Sequence, residues 1–457
     1  MLPPQPQTLF QLIGNTPLVK VSHLDTGPCE LFLKLESHNP GGSIKDRIGR
    51  SMIEAAEKAG LVGPHQKKLF EATAGNTGLG LALVASLKGY ELTLVIPDKM
   101  SQEKVTHLRA LGAKVVMTRS DVEKGHPAYY QDVAQRLATE AKGFYVNQFE
   151  NPANPRAHEL TTGPELVSQL GGMLDAMICG VGSGGTITGL SRHFAKAMPQ
   201  CEMVLADPKG SALAEYVQTG KLGPVGSWLV EGIGEDFLPP IVDLSRVKKA
   251  FTIDDAESLR TTRELLAKEG ILAGTSSGTL IAAALRYCRE QKTAKRVCTF
   301  VCDSGNKYLS KVFNDFWMAD QGFISRPRSG DLRDVMTRRF DEGSVVTVGA
   351  ADTLLTALNR MRLYDISQLP VMEGAKVVGM LDESDVLLAS IADEAKLKQP
   401  VSSVMSTRLE TVDVKTEARA LLPLFDRGLV PLVMEGANFL GLITRMDLLT
   451  HLRRQLR

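Results

Sequence analysis

The sequence predicts an α/β protein with a mostly parallel sheet, followed by a smaller region that contains an internal repeat. Three observations lead to this prediction. The chain has 457 residues, more than a single core of usual size accommodates. Up to about residue 318, short apolar runs alternate with amphipathic stretches, as strands and helices do in parallel sheets. After a glycine- and proline-containing linker at 319–331, the segments 332–391 and 392–457 repeat each other.

The predicted strands of the first region end in glycine or small polar residues. They are "KLFEATAG", "ELTLVIPD", "KVVMT", "DAMICGVG", "EMVLADP" and "RVCTFVCD", with helices at "NTGLGLALVASLKGY" and "SQEKVTHLRALGA". Ligands of such sheets bind at the carboxyl ends of the strands, so we expect the chemistry in these turns. Cys298 and Cys302 are predicted to share one face of the last strand and to pack in the core.

The repeat in the second region is visible residue by residue. "QLPVMEGAKVVGMLDESDVL" matches "LVPLVMEGANFLGLITRMDLL", so that Pro370 corresponds to Pro431 and Gly379 to Gly441. Such a constant spacing predicts two similar units that bury their apolar faces against each other.

Composition limits the kinds of partner. The 53 basic and 52 acidic residues nearly cancel, which argues against nucleic acid or a membrane surface as the main partner. No apolar run is long enough to span a membrane, and the N-terminal segment lacks the features of a signal peptide. The six cysteines and eight histidines show neither a disulfide framework nor metal-ligand spacing. We therefore expect a cytoplasmic protein without a metal site.

The motif "NPGGSIKDR" places Lys45 just behind a glycine pair. Glycines let a ligand approach the backbone, and Ser43 can cap the helix that runs through "IKDRIGRSMIEAAEKAG". Lys45 then lies in the first helical turn, where the helix dipole disfavours its charged form. A partly neutral lysine is a nucleophile toward aldehydes and can form a Schiff base.

A Schiff-base lysine for pyridoxal phosphate needs partners for the phosphate, the ring hydroxyl and the ring nitrogen. The loop "GVGSGGTITG" offers backbone N–H groups and hydroxyls to a phosphate. Asn76 in "TAGNTG" is a candidate for the ring hydroxyl, and Ser276 in "GTSSGT" for the nitrogen. Each motif alone can be an ordinary helix cap, and a glycine-rich loop also suits dinucleotides, although this one departs from the dinucleotide fingerprint.

Together the four motifs resemble the fold-type-II pyridoxal-phosphate enzymes of the cysteine synthase and cystathionine β-synthase group. The resemblance implies two α/β subdomains with parallel or mixed sheets, as in the tryptophan synthase β subunit, and a homodimer. It implies that Lys45 forms the Schiff base, Asn76 binds the ring hydroxyl and Ser276 faces the ring nitrogen. The expected phosphate ligands are Gly182, Ser183, Gly184, Gly185 and Thr186. The expected ligands of the substrate carboxylate are Thr73, Asn76, Thr77 and Gln148.

A serine beside the ring nitrogen leaves the ring largely neutral, which favours loss of a β-substituent over transamination. "VEGIGEDFLP" is similar to the corresponding stretch of cystathionine β-synthases. The expected reaction is therefore β-replacement, joining L-serine and L-homocysteine to L-cystathionine, with hydrogen sulfide release from cysteine as a further activity. The alternative is a cysteine synthase that uses O-acetylserine and sulfide. Ala74, Phe149 and Glu235 depart from the family pattern; Glu235 either contacts a substrate amine or is a solvated loop residue.

The repeat resembles the tandem CBS-domain module of the same family. The resemblance implies an adenosyl ligand, S-adenosylmethionine first, held by Thr444 and Asp447 in "GLITRMD". In the first repeat Asp382 replaces the hydroxyl residue, which suits a nucleoside better than a phosphate. A packing and oligomerisation module without ligand remains the alternative. The family's haem-binding extension is missing from the N-terminal segment, so we expect no haem.

Overall fold

A computed structural model describes residues 8–73, 75–98, 100, 102–122, 125–325, 329–391 and 393–455. These residues belong to two units, Met1–Asn314 and Asp315–Arg457. Within the described ranges, no helix has both the length and the apolar character needed to cross a membrane. The predicted α/β fold class is confirmed in the first unit, and the repeated strand–helix pattern in the second.

The first unit contains ten described strands and ten described helices. The strands are β1 (Leu18–Lys20), β2 (Glu30–Leu35), β3 (Lys68–Ala72), β4 (Glu91–Pro97), β5 (Lys114–Thr118), β6 (Phe144–Tyr145), β7 (Ala176–Cys179), β8 (Glu202–Pro208), β9 (Val247–Ile253) and β10 (Arg296–Val301). The helices are α1 (Lys45–Lys58), α2 (Asn76–Lys88), α3 (Gln102–Ala110), α4 (Tyr130–Glu140), α5 (Ala153–Ala157), α6 (Gly163–Gln169), α7 (Gly185–Ala197), α8 (Leu213–Thr219), α9 (Asp255–Glu269) and α10 (Thr275–Arg289).

These strands form two sheets. The smaller sheet has the order β5-β4-β3-β6 and is entirely parallel. The larger has the order β1-β2-β10-β7-β8-β9 and is parallel except for β1, which pairs antiparallel with β2. Three of the predicted motifs follow β2, β3 and β7, because ligand-binding loops of such sheets lie at the carboxyl ends of strands. The fourth, "GTSSGT", does not follow a strand and instead forms the start of α10.

Two glycines bring the helices α1 and α2 into backbone contact. A Cβ atom on Gly49 would lie 2.6 Å from the carbonyl carbon of Gly80, and one on Gly80 would lie 2.5 Å from the carbonyl oxygen of Lys45. No larger residue fits at either position without moving the backbone. The close crossing therefore fixes the start of α1, with Lys45, beside the first turn of α2, with Asn76.

The second unit contains six described strands and five described helices. They are α11 (Asp315–Asp320), β11 (Val348–Gly349), α12 (Leu354–Tyr364), β12 (Gln368–Glu373), β13 (Lys376–Asp382), α13 (Glu383–Ser390), β14 (Thr411–Asp413), α14 (Leu422–Asp426), β15 (Leu432–Glu435), β16 (Asn438–Leu442) and α15 (Arg445–Gln455). Each repeat has a three-stranded sheet, β11-β12-β13 or β14-β15-β16, with the same parallel and antiparallel pairing.

Each repeat contributes a segment that packs against the sheet of the other repeat. Met336, which precedes the first sheet, lies close to Gly441 in the second sheet. A Cβ atom on Gly441 would lie 2.9 Å from the sulfur of Met336. Met405, which precedes the second sheet, approaches Gly379 in the first sheet in the same way, at 2.5 Å. Glycine at both positions makes room for the methionine of the other repeat, so the matching glycines of the sequence have the same structural purpose.

Candidate active site

All the residues predicted for the cofactor and the substrate in the first unit line one cavity of about 470 Å³. They are Lys45, Thr73, Asn76, Thr77, Gln148, Gly182, Ser183, Gly184, Gly185, Thr186, Glu235 and Ser276. They come from six separate segments of the chain, which meet at one cavity.

Lys45 is the first residue of α1, and its backbone N–H donates to the hydroxyl of Ser43 at 3.2 Å. Burial lowers the pKa of its amine, although the carboxylates of Glu235 and Asp303 partly oppose this by favouring the charged form. Burial and the position at the helix N-terminus both favour the neutral, nucleophilic amine.

The loop after β3 is closed by Thr73, whose hydroxyl accepts the backbone N–H groups of Gly75 at 3.1 Å and of Gly78 at 3.3 Å. Ala74 lies outside the described residues. The hydroxyl of Thr77 donates to Oε1 of Gln148 at 2.7 Å, and Nε2 of Gln148 donates to a backbone carbonyl at 3.1 Å. These side chains therefore form one polar surface beside Lys45.

The loop after β7 is built for an anion. The first N–H groups of α7 have no carbonyl partner within the helix. Glycine is required here because a Cβ on Gly185 would lie 1.9 Å from Oδ1 of Asn154, and one on Gly182 would lie 2.6 Å from a backbone carbonyl oxygen. Asn154 also donates to the hydroxyl of Ser183 at 2.9 Å. The hydroxyl of Thr186 lies 3.2 Å from Nε2 of His158, whose pKa burial lowers well below its usual value.

Ser276 lies in the first turn of α10, buried beside the thiol of Cys302. Burial raises the pKa of that thiol to about 12, so Cys302 is neutral at ordinary pH. The core prediction is correct for Cys298, which is fully buried in β10. For Cys302 it is only partly correct: the strand ends at Val301, and Cys302 is half-buried, packing against the core and also lining the cavity.

Aromatic residues that the sequence reasoning missed lie at another part of the cavity wall. Tyr129 and Tyr130 both line it, with ring centroids 4.9 Å apart, and burial raises the pKa of Tyr129 to about 12. Phe149 and Glu235 line the same cavity, and Phe149 packs on Phe237 with ring centroids 5.7 Å apart. The adjacent tyrosines in "HPAYYQD" were the available signal.

A buried charge network also adjoins the cavity and was not predicted. Nζ of Lys104 donates to Oε2 of Glu231, and Nζ of Lys311 donates to Oε1, each at 2.6 Å. Burial opposes ionisation of Glu231, but the two ammonium groups outweigh burial and lower its pKa. Lys104 also donates to the hydroxyl of Tyr308 at 3.0 Å.

Thr444 and Asp447 belong to the second unit and form a reciprocal helix cap. Both the backbone N–H and the hydroxyl of Thr444 donate to Oδ2 of Asp447, at 2.7 and 2.5 Å. In the first repeat the backbone N–H of Asp382 donates to Asp385 at 3.0 Å in the same arrangement. A cavity of about 480 Å³ in this unit is lined by residues of both repeats, but Thr444 and Asp447 are not among them.

Comparison with family models identifies both regions. A model described as "Pyridoxal-phosphate dependent enzyme" matches residues 9–303, and one described as "CBS domain" matches residues 332–392 and 401–454.

Individual relatives agree with this division. A cystathionine beta-synthase of Dictyostelium discoideum is 35% identical over 456 residues, covering 96% of this chain and 91% of the relative. The structure of an O-acetylserine dependent cystathionine beta-synthase from Helicobacter pylori is 36% identical with a TM-score of 0.61, covering 66% of this chain and 97% of that chain. A hydrogen sulfide-producing enzyme from Fusobacterium nucleatum is 36% identical with a TM-score of 0.60, covering 66% and 100%.

The residues of the cavity fit pyridoxal phosphate. The glycine-lined loop accommodates a phosphate without a Cβ in the way, an amine with a lowered pKa lies in the same cavity, and Ser276 provides a neutral hydroxyl.

Proposed function

Because this chain belongs to the pyridoxal-phosphate dependent enzymes and, over nearly its whole length, to the cystathionine beta-synthases, we propose that it joins L-serine and L-homocysteine to L-cystathionine. Serine loses its β-hydroxyl and homocysteine loses its thiol proton; the two leave as water while a carbon–sulfur bond forms. The observation that carries this proposal is an amine-bearing cavity with an acidic side chain, Glu235, in its wall.

Pyridoxal phosphate, when bound, supplies an aldehyde for amines and a ring that withdraws electrons from the substrate Cα. We propose that Gly182, Ser183, Gly184, Gly185 and Thr186 hold its phosphate, and that Asn76 binds its ring hydroxyl. Ser276 would face its ring nitrogen. A hydroxyl cannot hold that nitrogen protonated as a carboxylate would, so moderate electron withdrawal is expected, which suits β-elimination better than transamination.

Lys45 is the proposed catalytic residue. Its Nζ would hold the cofactor, and as a free amine Lys45 would lie beside the Cα of the bound substrate. Its lowered pKa leaves the amine able to accept the Cα proton near neutral pH.

The proposed site for the substrate carboxylate is formed by Thr73, Asn76, Thr77 and Gln148. The hydrogen bond between Thr77 and Gln148, 2.7 Å long, links the loop after β3 to the segment that precedes α5. A carboxylate held there leaves the substrate Cβ directed toward the rest of the cavity, where the second substrate enters.

Glu235 distinguishes between the two candidate second substrates. Homocysteine has an ammonium group that a carboxylate in the cavity wall complements, whereas sulfide has none. This favours cystathionine formation over cysteine synthesis from O-acetylserine and sulfide. O-acetylserine is still an alternative to serine as the first substrate, because the Helicobacter relative depends on O-acetylserine. Release of hydrogen sulfide from cysteine is proposed as a further activity, supported by the Fusobacterium relative.

Product analysis by mass spectrometry tests the proposal. Serine or O-acetylserine is combined with homocysteine or sulfide, in all four pairs and at matched concentrations. Cystathionine as the fastest-formed product supports the proposal. Cysteine as the fastest-formed product with sulfide, from either amino acid, would establish a cysteine synthase instead.

The variant Glu235→Gln tests the specificity argument. We expect KM for homocysteine to rise about tenfold, because a charge-assisted hydrogen bond is lost, while the rate with sulfide changes much less. Glu150→Gln is the matched control, since Glu150 is exposed on the neighbouring segment and does not line the cavity. Equal losses with both acceptors in Glu235→Gln would contradict the argument.

For the rest of the chain we propose a catalytic domain at 1–318, a linker at 319–331 and repeats at 332–391 and 392–457. We propose a cytoplasmic homodimer, and S-adenosylmethionine as a regulatory ligand near Thr444 and Asp447. Calorimetric titration of the full chain with S-adenosylmethionine tests the last point, with Asp447→Ala as the variant. The absence of binding would leave a packing and oligomerisation module.

A further inference from the structure

The side-chain amide of Asn76 is held from both ends. Its Nδ2 donates to Oδ2 of Asp303 at 2.7 Å, and its Oδ1 accepts from Nζ of Lys307 at 3.2 Å. A carboxylate can only accept hydrogen bonds and an ammonium group can only donate them. This pair of contacts therefore permits one orientation of the amide and excludes the one in which oxygen and nitrogen exchange places.

Asp303 is itself fixed in place. It is fully buried, and the hydroxyl of Tyr308 donates to the same Oδ2 at 2.7 Å. Burial raises the pKa of Tyr308 well above its usual value, with the charges of Asp303 and Glu231 acting in the same direction, so the phenol keeps the proton that it donates. Behind the carboxylate a Cβ on Gly274 would lie 2.0 Å from Oδ1, which leaves no room for Asp303 to turn away.

We propose that Asp303 and Lys307 are positioning residues that orient the amide of Asn76, so that its second N–H hydrogen is presented to the ring hydroxyl oxygen of pyridoxal phosphate. This proposal rests on the proposed role of Asn76. An N–H donor favours the deprotonated form of that oxygen, whereas an amide turned round would present its own oxygen and favour the hydroxyl form.

The two forms of the bound cofactor differ in absorption, the deprotonated ring oxygen giving the longer-wavelength band. The ratio of the two bands therefore reports the orientation of the amide without any amino-acid substrate. We expect Asp303→Asn to lower the ratio of the long- to the short-wavelength band at least threefold. We expect it to weaken pyridoxal phosphate binding, titrated into the apoprotein, by about tenfold.

A second variant separates amide orientation from a simple charge effect on Lys45. Asp303→Asn removes a negative charge and Lys307→Met removes a positive one, so a purely electrostatic effect would move the band ratio in opposite directions. Loss of amide orientation lowers the ratio in both. Opposite shifts, or a ratio and affinity within twofold of wild type in Asp303→Asn, would overturn the proposal.

The chain provides a matched control in a second tyrosine. Tyr287 is buried like Tyr308, donates to the carboxylate of Glu202 at 2.7 Å and accepts from Lys295 at 3.1 Å, whereas Tyr308 donates to Asp303. Tyr308→Phe should lower the band ratio and Tyr287→Phe should not; equal spectra in the two variants would count against the proposal. If Asn76→Ala has the spectrum of wild type, the assigned role of Asn76 fails, and the reaction proposed above is unaffected.

Discussion

The two units differ in what they bury. In the first unit about thirty polar or charged side chains are buried, among them Lys34, Glu36, Arg47, Glu71 and Asp303. In the described part of the second unit every buried side chain is apolar, and its three clusters consist of valine, leucine, isoleucine, methionine, alanine and phenylalanine.

Burying a charge costs free energy unless partners replace its water. Some of the buried charges in the first unit are compensated: Arg47 binds both Glu36 and Glu165 through several hydrogen bonds of 2.6 to 2.8 Å. Others are not fully compensated, because one oxygen of Asp303 and one of Glu71 have no partner among the described residues. The first unit thus carries a cost in stability from its buried charges, whereas no buried charge is described in the second unit.

Among the variants that test this difference between the two units, Lys45→Ala is expected to have the largest effect. Turnover should fall by about 10³-fold or more, because both the nucleophile and the base are lost. The free energy of unfolding of the apoprotein should not decrease, since the buried amine is stabilised by few partners and its burial is unfavourable. Steady-state rates and urea unfolding of the apoprotein are the two measurements.

Lys58→Ala is the control for that variant, because Lys58 lies exposed at the other end of the same helix. It should leave turnover unchanged. A Lys45→Ala variant with retained turnover would refute the catalytic assignment. A large loss of apoprotein stability would show instead that the amine is well compensated in the folded state.

A smaller, pH-dependent effect is expected from Glu71→Gln. Burial raises the pKa of Glu71 to about 8 against the opposing hydrogen bonds from Gln148 and Asn147. The folded state therefore keeps a proton that the unfolded chain releases, and this carboxyl destabilises the fold increasingly as the pH rises from about 5 to about 8. Relative to wild type, the variant should gain about 3 kcal/mol over that range.

Urea unfolding at several pH values measures this gain. The exposed Glu150 serves as the control, since Glu150→Gln removes a carboxyl group that is not buried. A Glu71→Gln difference that does not depend on pH would mean that Glu71 is ionised in the folded state.

Local sequence was sufficient to predict much of this architecture. The strands β3, β4, β5, β7, β8 and β10 were recognisable as apolar runs, and the site loops as glycine-rich turns after them. Strand β2 was not, because Lys34 interrupts its apolar residues. Lys34 is nevertheless fully buried, because Glu165 and Gln169 each accept a hydrogen bond of 2.8 Å from its Nζ. Both partners lie more than 130 positions away in the sequence.

Contacts between residues that are distant in sequence also explain what was missed in the active site. Lys45 and the glycine loop are local motifs, but the partner of Asn76 is Asp303, 227 positions away. Cys302 was placed in the core because the end of β10 could not be located within a continuous apolar run. Contacts that depend on how distant strand ends meet have no local signature.

The smallest effect is expected in the second unit, from Ile443→Val. Ile443 is fully buried, and removing one methylene group should cost about 1 kcal/mol. The decisive feature is the dependence on pH: because no buried ionisable side chain is described in this unit, the cost should be constant from about pH 5 to about pH 8. Thermal unfolding of the full chain, followed by a probe placed in this unit, measures it, and the cofactor absorption should remain that of wild type. A cost that varies with pH as the difference at Glu71 does would show that the second unit also contains a buried charge, and the contrast between the two units would then be lost.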